Sequence, residues 1–146
     1  MADFLIYWKG FWNDIQDGNS DFDEKWHTEQ KHFYKKVQSG DILWLIVFGG
    51  NLHSDEWRLI SQICVEKKDI NSEKEKPYGI FGNKEKSQKF NVEYQSDFTP
   101  ILHKLEFESG KKITKEGRII GQNIQQIRDL TETDSLLLKD YSASLK

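Results

Sequence analysis

Seven consecutive apolar residues, Ile42-Leu43-Trp44-Leu45-Ile46-Val47-Phe48, lie directly behind Ser39-Gly40-Asp41. The run is short for a helix and rich in β-branched and aromatic side chains. It therefore reads as a central strand covered on both faces, which needs strands on its edges and layers above and below. Just upstream, Trp26-His27-Thr28-Glu29 opens a helical pattern. Thr28 fits an N-cap for a helix of roughly ten residues, with Phe33, Tyr34 and Val37 as its apolar side and Gly40 as its end. Together these features set an aromatic ring at the lip of a helix that runs into a buried strand.

Other segments fill in the frame. Phe4 to Trp8 alternates as a first strand, and the polar residues 13–25 read as a loop. Trp57 to Glu66 predicts a strand with a buried centre, and Asp69 to Lys76 a charged loop. Tyr78 to Phe81 is a short strand ending at Gly82-Asn83. Phe90 to Tyr94 and Ile101 to Phe107 predict two more. A closing helix is expected over Asp129 to Tyr141, with Leu130 as a staple before Thr131 or Thr133 as cap. About six short strands, few helices and frequent glycine turns argue an α+β fold, a small partly closed β-barrel with flanking helices.

Composition narrows the function classes. A chain of 146 residues is one domain, 1–146. It is 36% hydrophobic and 31% charged, yet 13% aromatic with five Trp, which separates it from aromatic-poor disordered chains. The lone Cys64 excludes an internal disulfide and fits a reducing cytoplasm. There is no basic-plus-apolar leader and no apolar run near membrane-spanning length, so a soluble cytoplasmic protein is expected. The net charge of −3 argues against a general nucleic-acid binder. Basic residues nevertheless outnumber acidic ones from 77 to 128, with Lys84, Lys86 and Lys89 in one cluster and Lys104, Lys111, Lys112, Lys115 and Arg118 in another. Such clusters are most often a solvated surface and otherwise suit weak phosphate contact.

Catalytic chemistry has little material. His27, His32, His53 and His103 share no metal spacing, no phosphate loop follows a strand, and no carboxylate pair sits in an apolar frame. Cys64 reads as inert core. No catalytic residue, metal or cofactor is assigned. Binding has more. Trp26 has no periodic reason to be core and reads as ligand contact or as a lid. Trp12 suits either role, Trp44 reads as core, and Trp8 and Trp57 as core or rim. Phe81, between Gly79 and Gly82, reads as core from its own surroundings.

The chain resembles the YTH domain and, more broadly, the PUA-like superfamily that also holds EVE domains. Phe4-Leu5-Ile6 followed by Asn13 resembles the opening strand and a polar residue after it that bonds the base. Trp26-His27-Thr28 resembles the Trp-(Ser/Cys)-(Ser/Thr) signature, whose Trp walls an aromatic cage. Ser39-Gly40-Asp41 and the apolar strand resemble both YTH and EVE domains. Gly79-Ile80-Phe81-Gly82-Asn83 resembles the segment carrying a second cage Trp, with Phe81 in its place and Lys86 where a third wall is common. His103-Lys104-Leu105 through Gly117-Arg118 to Gly121-Gln122-Asn123-Ile124 resembles the last strands, where basic residues touch phosphate.

The resemblance implies a nucleobase held between rings. Trp26 and Phe81 are then the walls, and Asn13, His27, Thr28, Asn83 and Trp12 the remaining base-binding residues. Lys86, Lys111, Lys112 and Arg118 hold flanking phosphates. The expected function is a non-enzymatic reader of methylated DNA, N6-methyladenine before 5-methylcytosine. It would be the recognition module of a restriction system, tethered to or complexed with a nuclease or NTPase. One alternative is an RNA-binding module for modified or structured RNA. The other is a small ASCH-type enzyme, marked by a pocket Lys–Glu or Lys–Thr pair.

Overall fold

The computed structural model describes residues 2–12, 24–49, 56–92, 95–110, 114–115, 118–119 and 126–145. In chain order the elements are β1 (Asp3–Tyr7), β2 (Lys25–Thr28), α1 (Lys31–Lys36), β3 (Ile42–Phe48), β4 (Trp57–Ile70) and β5 (Tyr78–Gly82). They continue with β6 (Gln88–Lys89), α2 (Thr99–Lys104), β7 (Thr114–Lys115), β8 (Arg118–Ile119), β9 (Arg128–Asp129) and α3 (Glu132–Ala143). Seven strands share one sheet in the order β2-β5-β4-β3-β1-β9, with β6 pairing β4 off that path, and β7 and β8 form a separate ribbon. β1 and β3 run parallel and the other pairings are antiparallel, which makes the chain an α+β domain.

The apolar run became a central strand because both faces of the sheet are covered. Ile42, Trp44 and Ile46 point to one side and meet Leu59, Phe98, Leu102, Leu105 and Leu138. Leu43, Leu45 and Val47 point to the other and meet Phe4, Ile6, Phe33, Val37 and Ile80. Trp44 is fully buried, and its indole nitrogen donates to Asp3 Oδ2 at 3.0 Å. That bond removes the cost of a buried unpaired N–H. Along the strand order the sheet ends at β2 and at β9 and does not close on itself through backbone pairing among the described residues.

Three expectations are corrected. Thr28 does not cap a helix: it ends β2, and its Oγ1 accepts from Gln30 N at 3.0 Å. The helix that follows is α1, six residues long, capped by no side chain and ended at Val37 rather than Gly40. Ile101 to Phe107 is not a strand. Pro100 in the first turn of α2 and the Asp97 carboxylate, which accepts from Thr99 N and Thr99 Oγ1, start a helix there. Of Phe90 to Tyr94, residues 90–92 carry no strand and 93–94 lie outside the described residues; the pairing with β4 is made by β6 instead.

The closing helix begins at Glu132 with Thr131 as its cap. Thr131 Oγ1 accepts from Asp134 N, and Asp134 Oδ2 accepts from Thr131 N, a reciprocal capping box. The same buried carboxylate accepts from Glu106 N and Phe107 N, where Phe107 adopts φ 57°. One side chain thus caps α3 and fixes the segment that leaves α2.

Candidate functional site

The register between β2 and β5 decides where each aromatic goes. Trp26 lies opposite Ile80, His27 opposite Gly79 and Lys25 opposite Phe81. Directly opposed residues share a face and successive ones alternate. Trp26 therefore joins the face of Ile80 and the Phe4–Leu43–Leu45 core, while His27 and Phe81 occupy the other. The two residues expected as walls of one cage stand on opposite sides of the ribbon.

Trp26 has different ring neighbours. Its centroid is 5.6 Å from that of Trp8, at an interplanar angle of 78°. Trp8 meets Phe11 at 5.1 Å, and Phe11 meets Trp12 at 5.0 Å. β2 and β1 are four strand spacings apart in the sheet order, about 19 Å across a flat sheet. Contact between Trp26 and Trp8, which directly follows β1, means that the sheet curls strongly around this face. Trp12 Nε1 donates to Phe48 O at 3.1 Å. Trp26 Nε1 is buried and has no hydrogen-bond partner among the described residues.

On the opposite face His27 and Phe81 stack edge to face, with centroids 5.7 Å apart. Gly79 makes room for both. A Cβ built there would lie 2.9 Å from Phe81 Cε2 and 3.2 Å from His27 Nε2. The aromatic rings cover bare glycine backbone, a known way of protecting a strand glycine. The Lys67 ammonium lies 5.7 Å from the Phe81 centroid. Burial, then the charges of Lys74, Lys25 and Lys76, hold the His27 imidazole below its ordinary pKa of 6.5. It is a neutral ring at physiological pH.

The remaining predicted residues are dispersed. Thr28 is buried in its turn. Asn83 Oδ1 accepts from Glu85 N and Lys86 N, and its Nδ2 donates to Glu66 Oε1 at 3.1 Å, so both ends of the amide are engaged. Lys86 is exposed beside a cleft of about 290 Å³ that it shares with Ser39, Cys64 and Asn83. Arg118 lies in β8, on the two-stranded ribbon. Asn13, Lys111 and Lys112 lie outside the described residues.

Cys64 is half-buried rather than core, and its Sγ donates to Lys86 O at 3.4 Å. Burial raises the thiol pKa, which disfavours the reactive thiolate. Among the described residues no group of three His, Cys, Asp or Glu side chains could hold a metal ion, and no helix is long and apolar enough to cross a membrane. Sequence reasoning missed the Trp8–Trp26 contact, whose only local signal was a Trp at the end of a strand. It also missed a β-bulge at Glu66, where Val65 pairs Gly82 and Lys67 pairs Phe81. No protein-family model matches the chain, and no curated protein matches it.

Proposed function

We propose that this chain binds nucleic acid carrying a methylated base, N6-methyladenine before 5-methylcytosine, with the base flipped out of its strand against Trp26. The observation that carries this is the contact of Trp26 with Trp8, continued by the buried Phe11 to Trp12. In this reading Trp8, not Phe81, is the ring paired with Trp26. The curl fits the PUA-like barrel that the resemblance to YTH and EVE domains implies.

Stacking on an aromatic side chain contributes about 1–3 kcal/mol per base. The methyl group itself adds only about 0.8 kcal/mol by burial, a few-fold preference. Discrimination therefore depends on how tightly the rings exclude water from an unmethylated amine. Flipping from a duplex costs a few kcal/mol and favours easily opened sites. The proposed setting is a modification-dependent restriction system in which a nuclease or NTPase module does the cutting.

The test is binding of oligonucleotide pairs differing by one methyl, as single- and double-stranded DNA and as RNA. Trp26→Ala is expected to remove the methyl preference and weaken binding by about 5- to 100-fold, with the circular dichroism spectrum and cooperative melting retained. Trp26→Phe is expected to keep part of both. Equal affinity for both members of every pair would overturn the proposal. An unfolded Trp26→Ala protein would make Trp26 a core residue and remove it from the site.

A further inference from the structure

We infer that the cleft beside Phe81 is a second site, and that it takes a guanine nucleotide. The cleft has a volume of about 470 Å³ and is lined by Glu24, Glu66, Lys67, Phe81, Lys84 and Glu85, among others. That is within the roughly 300–1,000 Å³ range of small-ligand sites. Three features prepare it. The Phe81 ring is seated on Gly79 and propped by His27, so its position is fixed before any ligand arrives. Glu66 is the extra residue of the bulge between Val65 and Lys67, a device that re-aims a side chain. Asn83 Nδ2 holds one oxygen of that carboxylate at 3.1 Å, while the Asn83 oxygen is tied into its own turn by two backbone N–H groups.

A flat ring beside an oriented carboxylate selects among bases by hydrogen-bond polarity. The N1–H and N2–H groups of guanine are adjacent donors that match the two oxygens of a carboxylate. Adenine presents its N1 lone pair, and cytosine its N3 lone pair, at the equivalent edge, and both repel a carboxylate. The Lys67 ammonium, now over the Phe81 ring, and Lys84 are placed to pair with phosphate. Glu24, Glu66 and Glu85 keep the cleft from trapping phosphate indiscriminately.

The guanine has two possible sources, a free nucleotide or the neighbour of the methylated base within one strand. Among the described residues β2 is an edge of the sheet, and Trp26 on β2 and Phe81 on the neighbouring β5 lie on opposite faces, so a strand crossing that edge can reach both. That sequence-context role rests on the proposed function; the guanine cleft does not.

The probes are guanosine, inosine and adenosine 5′-monophosphates, titrated into the full 146-residue chain and followed by backbone amide NMR. Saturable shifts are expected at Glu66, Lys67 and Phe81 to Glu85, strongest for guanosine, intermediate for inosine, which lacks the N2 amine, and at least about tenfold weaker for adenosine. Glu66→Gln should erase that order. Phe81→Leu keeps Gly79 covered and should weaken all three alike. No saturable shift with guanosine monophosphate, equal binding of guanosine and adenosine, or an order unchanged in Glu66→Gln would each overturn the inference. An oligonucleotide with guanine beside the methylated base binding more tightly than one with adenine there, and losing that margin in Glu66→Gln, assigns the guanine to the strand. Binding of guanosine monophosphate without that margin assigns a free nucleotide. Trp26→Phe should leave the guanosine titration unchanged, which separates failure of this inference from failure of the Trp26 site.

Discussion

Asp134 bears more of the structure than its place in a surface helix suggests. Its carboxylate is almost completely buried and accepts from three backbone N–H groups, those of Glu106, Phe107 and Thr131. Replacing it with Ala leaves these donors facing an apolar layer. Asp134→Ala is expected to destabilise the fold by about 3 kcal/mol, with Asp134→Asn costing less because one oxygen remains. The midpoint of urea unfolding measures both. The sequence offered Thr131 or Thr133 as the cap, but the reach of Asp134 to residues 106 and 107 is a tertiary fact with no local signature. Trp26 and Phe81 show the same division. Trp26 could be singled out from its local context and Phe81 only through the resemblance, whereas their separation follows from the pairing of Trp26 with Ile80, a register that only the folded ribbon sets.

Elements were legible where burial is two-sided or caps are strong. Ile42 to Phe48 could hardly be misread, because no polar residue interrupts it, and of the two caps expected for α3, Thr131 and Thr133, Thr131 serves. Ile101 to Phe107 misled although the segment carries a better signal for a helix. Phe98, Leu102 and Leu105 recur at helical spacing and are all buried, and Pro100 opens the turn. The stretch around Trp26 misled in the opposite direction. Thr28 resembled a cap, but alternation of Trp26 and Thr28 with Lys25 and His27 suits a strand against β5. At this scale Thr131→Ala is expected to cost about 1 kcal/mol, the usual loss of an N-cap side chain. The thermal midpoint should fall without a change in helix content at low temperature.

For the whole molecule, acid should act in two steps. The folded His27 pKa is depressed by burial and by the charges of Lys74, Lys25 and Lys76. Its contribution is complete above the ordinary value of 6.5 and is lost as pH falls through the folded value. Burial alone would raise the Asp97 carboxyl, but hydrogen bonds from Thr99 and Trp57 and the Arg58 charge outweigh it and hold it below 3.8. Its contribution disappears only as pH falls through that lower value. Urea midpoints followed downward from pH 7.5 should decline first below 6.5 and again below 3.8. His27→Gln is expected to flatten the first and Asp97→Asn the second. The position of β1 has a further consequence, for synthesis. It leaves the ribosome before β3, which covers one of its edges once Ile42 to Ile46 follow. The other waits for Arg128 and Asp129, and for Leu130 N to reach Asp3 O at 2.9 Å. An apolar strand with an open edge is a template for pairing with other chains. Until then β1 is an association hazard in the nascent chain, and a dipeptide far along the sequence removes it.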